Sequence, residues 1–145
     1  VGEFHYVHHQ PGGAPYAEAK PVLRLSLPAV QVRNVEAGES VGYAQGFRAE
    51  RAMRVATVSG GYADGLLRSL SGKASLWAGD ISCPLVGRVS MDLITVDVTA
   101  LDGAPDALDI IGPHQGIDDL AAIGETIGYE ILTSLGARYA RAYPG

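Results

Sequence analysis

A chain of 145 residues with 47% hydrophobic and 19% charged side chains holds one domain with its own core, because at this size folding buries roughly 68–70% of the surface that the unfolded chain exposes. A single cysteine excludes an internal disulfide framework, and a net charge of -5 with a pI near 5.2 argues against a phosphate-backbone partner. No apolar run approaches the ~18 residues of a membrane-spanning helix, and the opening Val1-Gly2-Glu3-Phe4-His5 lacks the basic-then-apolar order of a signal peptide, so the expectation is a soluble cytoplasmic protein with no nucleic-acid and no membrane partner.

Residues 1–20, with Pro11-Gly12-Gly13 and Ala14-Pro15, have no sustained periodicity and read as an arm or linker; the domain proper spans 21–145. From Val22 to Val35 the period-two pattern of Leu23, Leu25, Leu27 and then Val30 and Val32 predicts strand. Pro28 cannot donate a ladder hydrogen bond, so it splits the run or marks an edge or bulge. Glu36-Ala37-Gly38-Glu39 turns the chain, and Met53 to Ser59 is a further strand, ended by Gly60-Gly61 with Tyr62 on a loop. Short runs at Ala74–Trp77 and Pro84–Val89 flank Ala78-Gly79-Asp80, which has hairpin chemistry. Leu93 to Val98 alternates, and Leu108 to Ile111 adds one more strand.

Helical spacing enters only in the last third. Asp118 is the expected cap of a short helix through Ile123, and Thr126 of a second one ending at Gly136, with Ile131, Leu132 and Leu135 on one face. Ala137 to Tyr143 closes the chain as a strand. Glycine at 19 of 145 residues is well above the usual ~7%, and five to eight short strands at this spacing predict a mainly β, small barrel-like domain with one or two short helices near the carboxy terminus.

The residues taken one by one point weakly to chemistry. No Ser/His/Asp spacing singles out a nucleophilic triad, and neither a Walker A run nor a G-x-G-x-x-G after a strand is present. His5, His8 and His9 supply metal-ligand chemistry but sit on a Gly/Pro-rich arm without a fourth ligand, so no metal is expected. His114 reads as an exposed loop residue. Three segments combine glycine with a polar or aromatic side chain: Gly61-Tyr62-Ala63-Asp64-Gly65, Gly87-Arg88-Val89-Ser90-Met91-Asp92 and Gly128-Tyr129-Glu130. Glycine lets backbone approach a ligand closely, although on spacing alone all three are turns and Tyr62 a structural tyrosine.

Together these segments carry a resemblance. The runs RVATVSGGYADGLLRSL from Arg54, PLVGRVSMDLITVDVT from Pro84 and IGYEILTSLGARYARAY from Ile127 resemble, in order and approximate spacing, the carboxy-terminal domain of bacterial alanine racemase. The stretch from Lys20 through Glu50 is similar to the family's opening strands, so the resemblance covers about Lys20 to Tyr143, and residues 1–19 have no clear counterpart. Tyr43 stands where the family often has a serine before the tyrosine and a glycine after it, and receives no catalytic role.

The resemblance implies an enzyme interconverting L- and D-alanine through pyridoxal phosphate, held as a Schiff base by a lysine of an amino-terminal barrel domain. This chain has no counterpart to that barrel, and alone it is expected to be inactive. In the family's head-to-tail homodimer, this domain of one subunit closes the active site of the other. It implies Tyr62 as the second catalytic base, since racemisation needs a base on each face of the carbanionic centre. It implies Met91 as the donor of a backbone N–H to the substrate carboxylate, Arg88 as a cation lining the access corridor and Tyr129 as a hydroxyl donor to the cofactor phosphate. Asp92 would orient the loop, and the physiological role would be D-alanine supply for the cell wall. The competing expectation is a stand-alone β-barrel binding or regulatory module derived from that family. Such a module would seal its surface with polar groups, whereas a racemase part would expose an apolar patch around Tyr62 and Met91.

Overall fold

Alternation governs the longest strand, whose Leu23, Leu25 and Leu27 turn inward while the intervening Arg24 faces solvent. The computed structural model describes residues 3–6, 23–42 and 46–142; the histidines 8 and 9 and Tyr43 lie outside them. In chain order the strands are β1 (Glu3–Tyr6), β2 (Leu23–Val35), β3 (Ser40–Val41), β4 (Phe47–Arg48), β5 (Met53–Ser59), β6 (Ser75–Ala78), β7 (Ile81–Val86), β8 (Leu93–Asp97), β9 (Ala107–Ile111) and β10 (Ala140–Ala142), with helices α1 (Ile117–Ile123) and α2 (Gly128–Ser134) between the last two.

Six of the strands close on themselves in the order β2, β5, β8, β7, β6, β9 and back to β2. Closure depends on β2, which pairs with β9 as far as Pro28 opposite Ala107 and with β5 from Ala29 opposite Val58 onward. Pro28 does not split the strand. Its missing N–H falls where β2 passes from one neighbour to the other, and the register shifts between Ala29 and Gln31, the bulge that lets a strand bend around a barrel. Leu25, Leu27, Val58, Leu76, Ile94, Val96, Leu108 and Ile110 fill the interior, and Leu120 and Ile131 of the two helices add to the same core.

A second cluster, Val35, Val41, Met53, Val55 and Val86 with Phe47 against it, lies beneath the small ribbon β3–β4. Strand β5 therefore sends Ala56 and Val58 into one cluster and Met53 and Val55 into the other.

Several boundaries differ from the sequence expectation. Strand β7 begins at Ile81 directly after the two-residue turn Gly79-Asp80, because Ala78 pairs with Ile81, and it ends at Val86, before Gly87 at φ 75°. The N-cap of helix α1 is Gly116, not Asp118, and the carboxylate of Asp119 in the first turn accepts the Gly116 N–H at 2.9 Å. Glu125, at φ 58°, turns the chain so that α2 starts at Gly128. Within the expected arm, Glu3–Tyr6 pairs antiparallel with β2 and parallel with β10, so these four residues extend the sheet. No described helix is long and apolar enough to cross a membrane, and no group of three or more His, Cys, Asp or Glu able to hold a metal occurs among the described residues.

Candidate active site

Strand β5 ends at Ser59 and delivers Gly60-Gly61 against the loop that precedes β8. A Cβ on Gly61 would stand 2.3 Å from the Ser90 carbonyl oxygen and 2.4 Å from that of Met91, so only glycine permits this approach. Three backbone hydrogen bonds lock the contact: Gly60 N–H to Asp92 at 2.9 Å, Tyr62 N–H to Ser90 at 3.0 Å and Ala63 N–H to Met91 at 3.0 Å. Tyr62–Asp64 forms one 3-10 turn, which Gly65 ends at φ 90°. There Gly65 meets the Ser134 carbonyl of α2, only 2.1 Å from where its Cβ would be.

The two segments frame an open groove of about 570 Å3 whose walls include Tyr62, Arg68, Arg88, Ser90, Met91 and Leu93. Tyr62 is 48% exposed; its hydroxyl makes no hydrogen bond among the described residues, and the Arg68 guanidinium lies 6.0 Å from its ring centroid. Met91 is 52% exposed. Its carbonyl holds Ala63, while its N–H reaches no acceptor among the described residues. A free backbone N–H beside the exposed cations Arg88 and Arg68 suits a carboxylate. Three of the expected site residues, Tyr62, Arg88 and Met91, thus share one groove.

Tyr129 does not line it. It stands in the first turn of α2, 78% exposed, with a hydroxyl that makes no hydrogen bond among the described residues.

Beside the groove, and including its lining residue Asp92, lies a network whose other members, Asp64 and Arg138, sequence reasoning missed. Asp64 is 4% exposed and one of its oxygens accepts the Gly61 N–H at 3.2 Å. Arg138, from the segment between α2 and β10, grips both Asp64 oxygens, Nε to Oδ1 at 2.6 Å and Nη2 to Oδ2 at 2.8 Å. The same Nη2 reaches Asp92 Oδ1 at 2.8 Å. These contacts, to Asp64 first and Asp92 second, push the Arg138 guanidinium's pKa further up. Arg68 was also absent from the sequence reading. Both arginines lie inside the quoted blocks, but no local spacing distinguishes them from solvated cations. The adjoining Tyr139 hydroxyl is buried with no partner among the described residues, and burial, then the Asp64 charge, raises its pKa well above the ordinary tyrosine value.

A family model described as alanine racemase, C-terminal domain, matches residues 22–143. The alanine racemases of Jannaschia sp. (strain CCS1) and Cereibacter sphaeroides (strain ATCC 17029 / ATH 2.4.9) are 63% identical over 131 residues and 64% over 132, covering 90% and 91% of this chain and 38% of each relative. Among solved structures, alanine racemase from Bartonella henselae with covalently bound pyridoxal phosphate superimposes with a TM-score of 0.81 at 43% identity, over 85% of this chain and 35% of that one. Biosynthetic alanine racemase from Pseudomonas aeruginosa gives 0.80 at 38% identity, over 87% and 36%. The chain therefore spans well under half the length of the relatives it matches.

Proposed function

The chain belongs to the alanine racemase family through its carboxy-terminal domain, and on that premise we propose that it is the part of an alanine racemase that brings a tyrosine base and a carboxylate-binding amide to the active site of a partner subunit. One observation carries the reading: the turns that carry Tyr62 and Met91 are joined by backbone hydrogen bonds, Tyr62 N–H to Ser90 and Ala63 N–H to the Met91 carbonyl, and at the groove they share the Tyr62 hydroxyl and the Met91 N–H are unpaired among the described residues. Tyr62, Met91 and Leu93 leave that groove apolar and exposed, and Ile127, Tyr129 and Leu132 leave α2 so. Such surfaces suit burial against other domains. They support docking onto amino-terminal barrel domains of the same subunit and of its partner in a homodimer, rather than a sealed stand-alone module.

In this mechanism the Met91 N–H fixes the carboxylate of alanine, drawn in by Arg88 and Arg68. With the carboxylate fixed, the Cα–H bond has one orientation relative to the Tyr62 oxygen. As phenolate that oxygen takes the Cα proton of L-alanine; as phenol it returns a proton to the same face. A base of the barrel domain serves the opposite face. A free tyrosine titrates near ~10, and each unit down to neutral pH costs about 1.4 kcal/mol, so cations must favour the phenolate. The assembled enzyme would supply them from its barrel domain. Pyridoxal phosphate, which the Bartonella henselae relative carries covalently, would supply the electron sink for the Cα carbanion. The exposed Tyr129 hydroxyl, unpartnered among the described residues, fits a phosphate oxygen of that cofactor. The setting we infer is the bacterial cytoplasm, with the D-alanine product supplied for the cell wall.

The test is Tyr62→Phe in the full-length racemase containing this domain, followed by α-deuterium exchange from each enantiomer. Exchange from L-alanine should fall by roughly 10²–10⁴-fold, the scale of a lost general base, with exchange from D-alanine largely retained. Equal losses on both faces would overturn the assignment of Tyr62.

A further inference from the structure

We propose that Arg138 is a positioning residue that sets the distance between the proton-transferring hydroxyl of Tyr62 and the carboxylate-holding amide of Met91, an inference that rests on the reading above. Each of those groups is carried by a turn, and each turn has a carboxylate next to it in sequence. Asp64 lies two residues after Tyr62 and shares its 3-10 turn. Asp92 directly follows Met91. Arg138 binds both carboxylates at once, with Nη2 at 2.8 Å from each and Nε at 2.6 Å from the second Asp64 oxygen.

The planar fork matters because its donors are fixed relative to one another. Two parallel bonds to Asp64 orient the guanidinium plane, and the remaining direction of Nη2 then dictates where the Asp92 carboxylate stands. A lysine has one compact ammonium and cannot hold a carboxylate bidentately while reaching a second. Asp64 is also anchored to its own turn, because the Oδ2 that accepts from Arg138 accepts the Gly61 N–H as well. Displacing Asp64 would therefore move the peptide that leads into Tyr62. The backbone bonds between the two turns all join main chain to main chain; Arg138 joins their side chains and ties both to the segment after α2, where the Gly136 N–H also bonds the Asp64 carbonyl at 3.2 Å. Arg138 does not line the groove, so it acts through Tyr62 and Met91.

The experiment uses Arg138→Lys and Asp92→Asn in the full-length racemase, with Tyr62→Phe alongside. Exchange of the α-proton is measured separately from L- and D-alanine, with KM and the thermal midpoint. Arg138→Lys should lower saturated exchange from L-alanine roughly 10- to 100-fold, as expected for a sub-ångström to 1 Å misplacement of a reacting group. Exchange from D-alanine at saturation should stay within about twofold, and KM should rise for both enantiomers as the Met91 amide shifts. Asp92→Asn keeps the Asp64 pair intact, so it serves if Arg138→Lys does not fold; it should raise KM for both enantiomers with a smaller loss on the L face. If Arg138 only stabilises the fold, the midpoint falls while exchange per folded site is unchanged or falls equally on both faces, and the inference is overturned. Sidedness in Tyr62→Phe without it in the Arg138 and Asp92 variants sinks this inference alone. Its absence from Tyr62→Phe sinks the functional reading and the inference together.

Discussion

Gly61 and Ser90 lie so close that a single added carbon at Gly61 would overlap the Ser90 carbonyl oxygen at 2.3 Å. The Gly61 backbone is extended, at φ -164°, so the obstacle is space and not conformation. Gly61→Ala should cost about 1–3 kcal/mol, the range for overpacking, and should remove activity of the full-length enzyme by displacing Tyr62 from Met91. Gly72→Ala is the control: its φ is 67° with nothing within 4 Å, so it should cost only about 1–2 kcal/mol of left-handed strain and leave activity unchanged. Denaturant midpoints and turnover of the two variants check this.

Tyr139→Phe should be neutral or stabilising by up to about 1–2 kcal/mol, because the hydroxyl is buried without a partner among the described residues and an unsatisfied buried donor carries a desolvation cost. A drop of more than 1 kcal/mol in urea unfolding would show that the hydroxyl is bonded.

Alkali should weaken the domain progressively. Burial first, and the Asp97 charge second, raise Cys83 above its ordinary 9.0; burial and then Asp64 raise Tyr139 above its ordinary 10.0. Both groups keep their protons longer folded than unfolded, so their contribution is complete below the unfolded value and is lost as pH climbs through the folded one. The thermal midpoint should hold to about pH 9 and then decline. Cys83→Ala should flatten the first part of the decline and Tyr139→Phe the second.

Tyr129→Phe in the full-length enzyme should weaken retention of pyridoxal phosphate roughly tenfold or more, the worth of one hydrogen bond to a charged oxygen. Dialysis followed by cofactor absorbance measures this, and unchanged retention would remove Tyr129 from the phosphate site.

The 145-residue chain by itself, mixed with pyridoxal phosphate, should show no racemisation of alanine above the cofactor alone. D-alanine formation at an enzymatic rate, followed by chiral chromatography, would mean that a base for the second face lies within this chain.

Alternation alone determined where the strand from Leu93 runs, and Gly79-Asp80 alone determined a hairpin, because side-chain period and turn conformation are local properties. The three glycine-containing blocks were enough to select the family and, through it, Tyr62, Met91, Arg88 and Tyr129. Other features were decided only when the barrel closed. Strand β5 is apolar on both faces because the β3–β4 ribbon covers the outside, and two-residue strands such as Ser40–Val41 are too short for any period to show. The first residues of β1 gain their partners from the opposite end of the chain, where Glu3 meets Ala140. Arg138 meets Asp64 across 74 residues and Asp92 across 46. A guanidinium reads the same in sequence whether it is solvated or clamped between two carboxylates, since its partner is chosen by where the backbone brings it and not by its neighbours in the chain. For that reason Tyr62, Arg88 and Met91 could be singled out from the sequence through the resemblance, while the guanidinium that joins the turns of Tyr62 and Met91 appeared only in three dimensions.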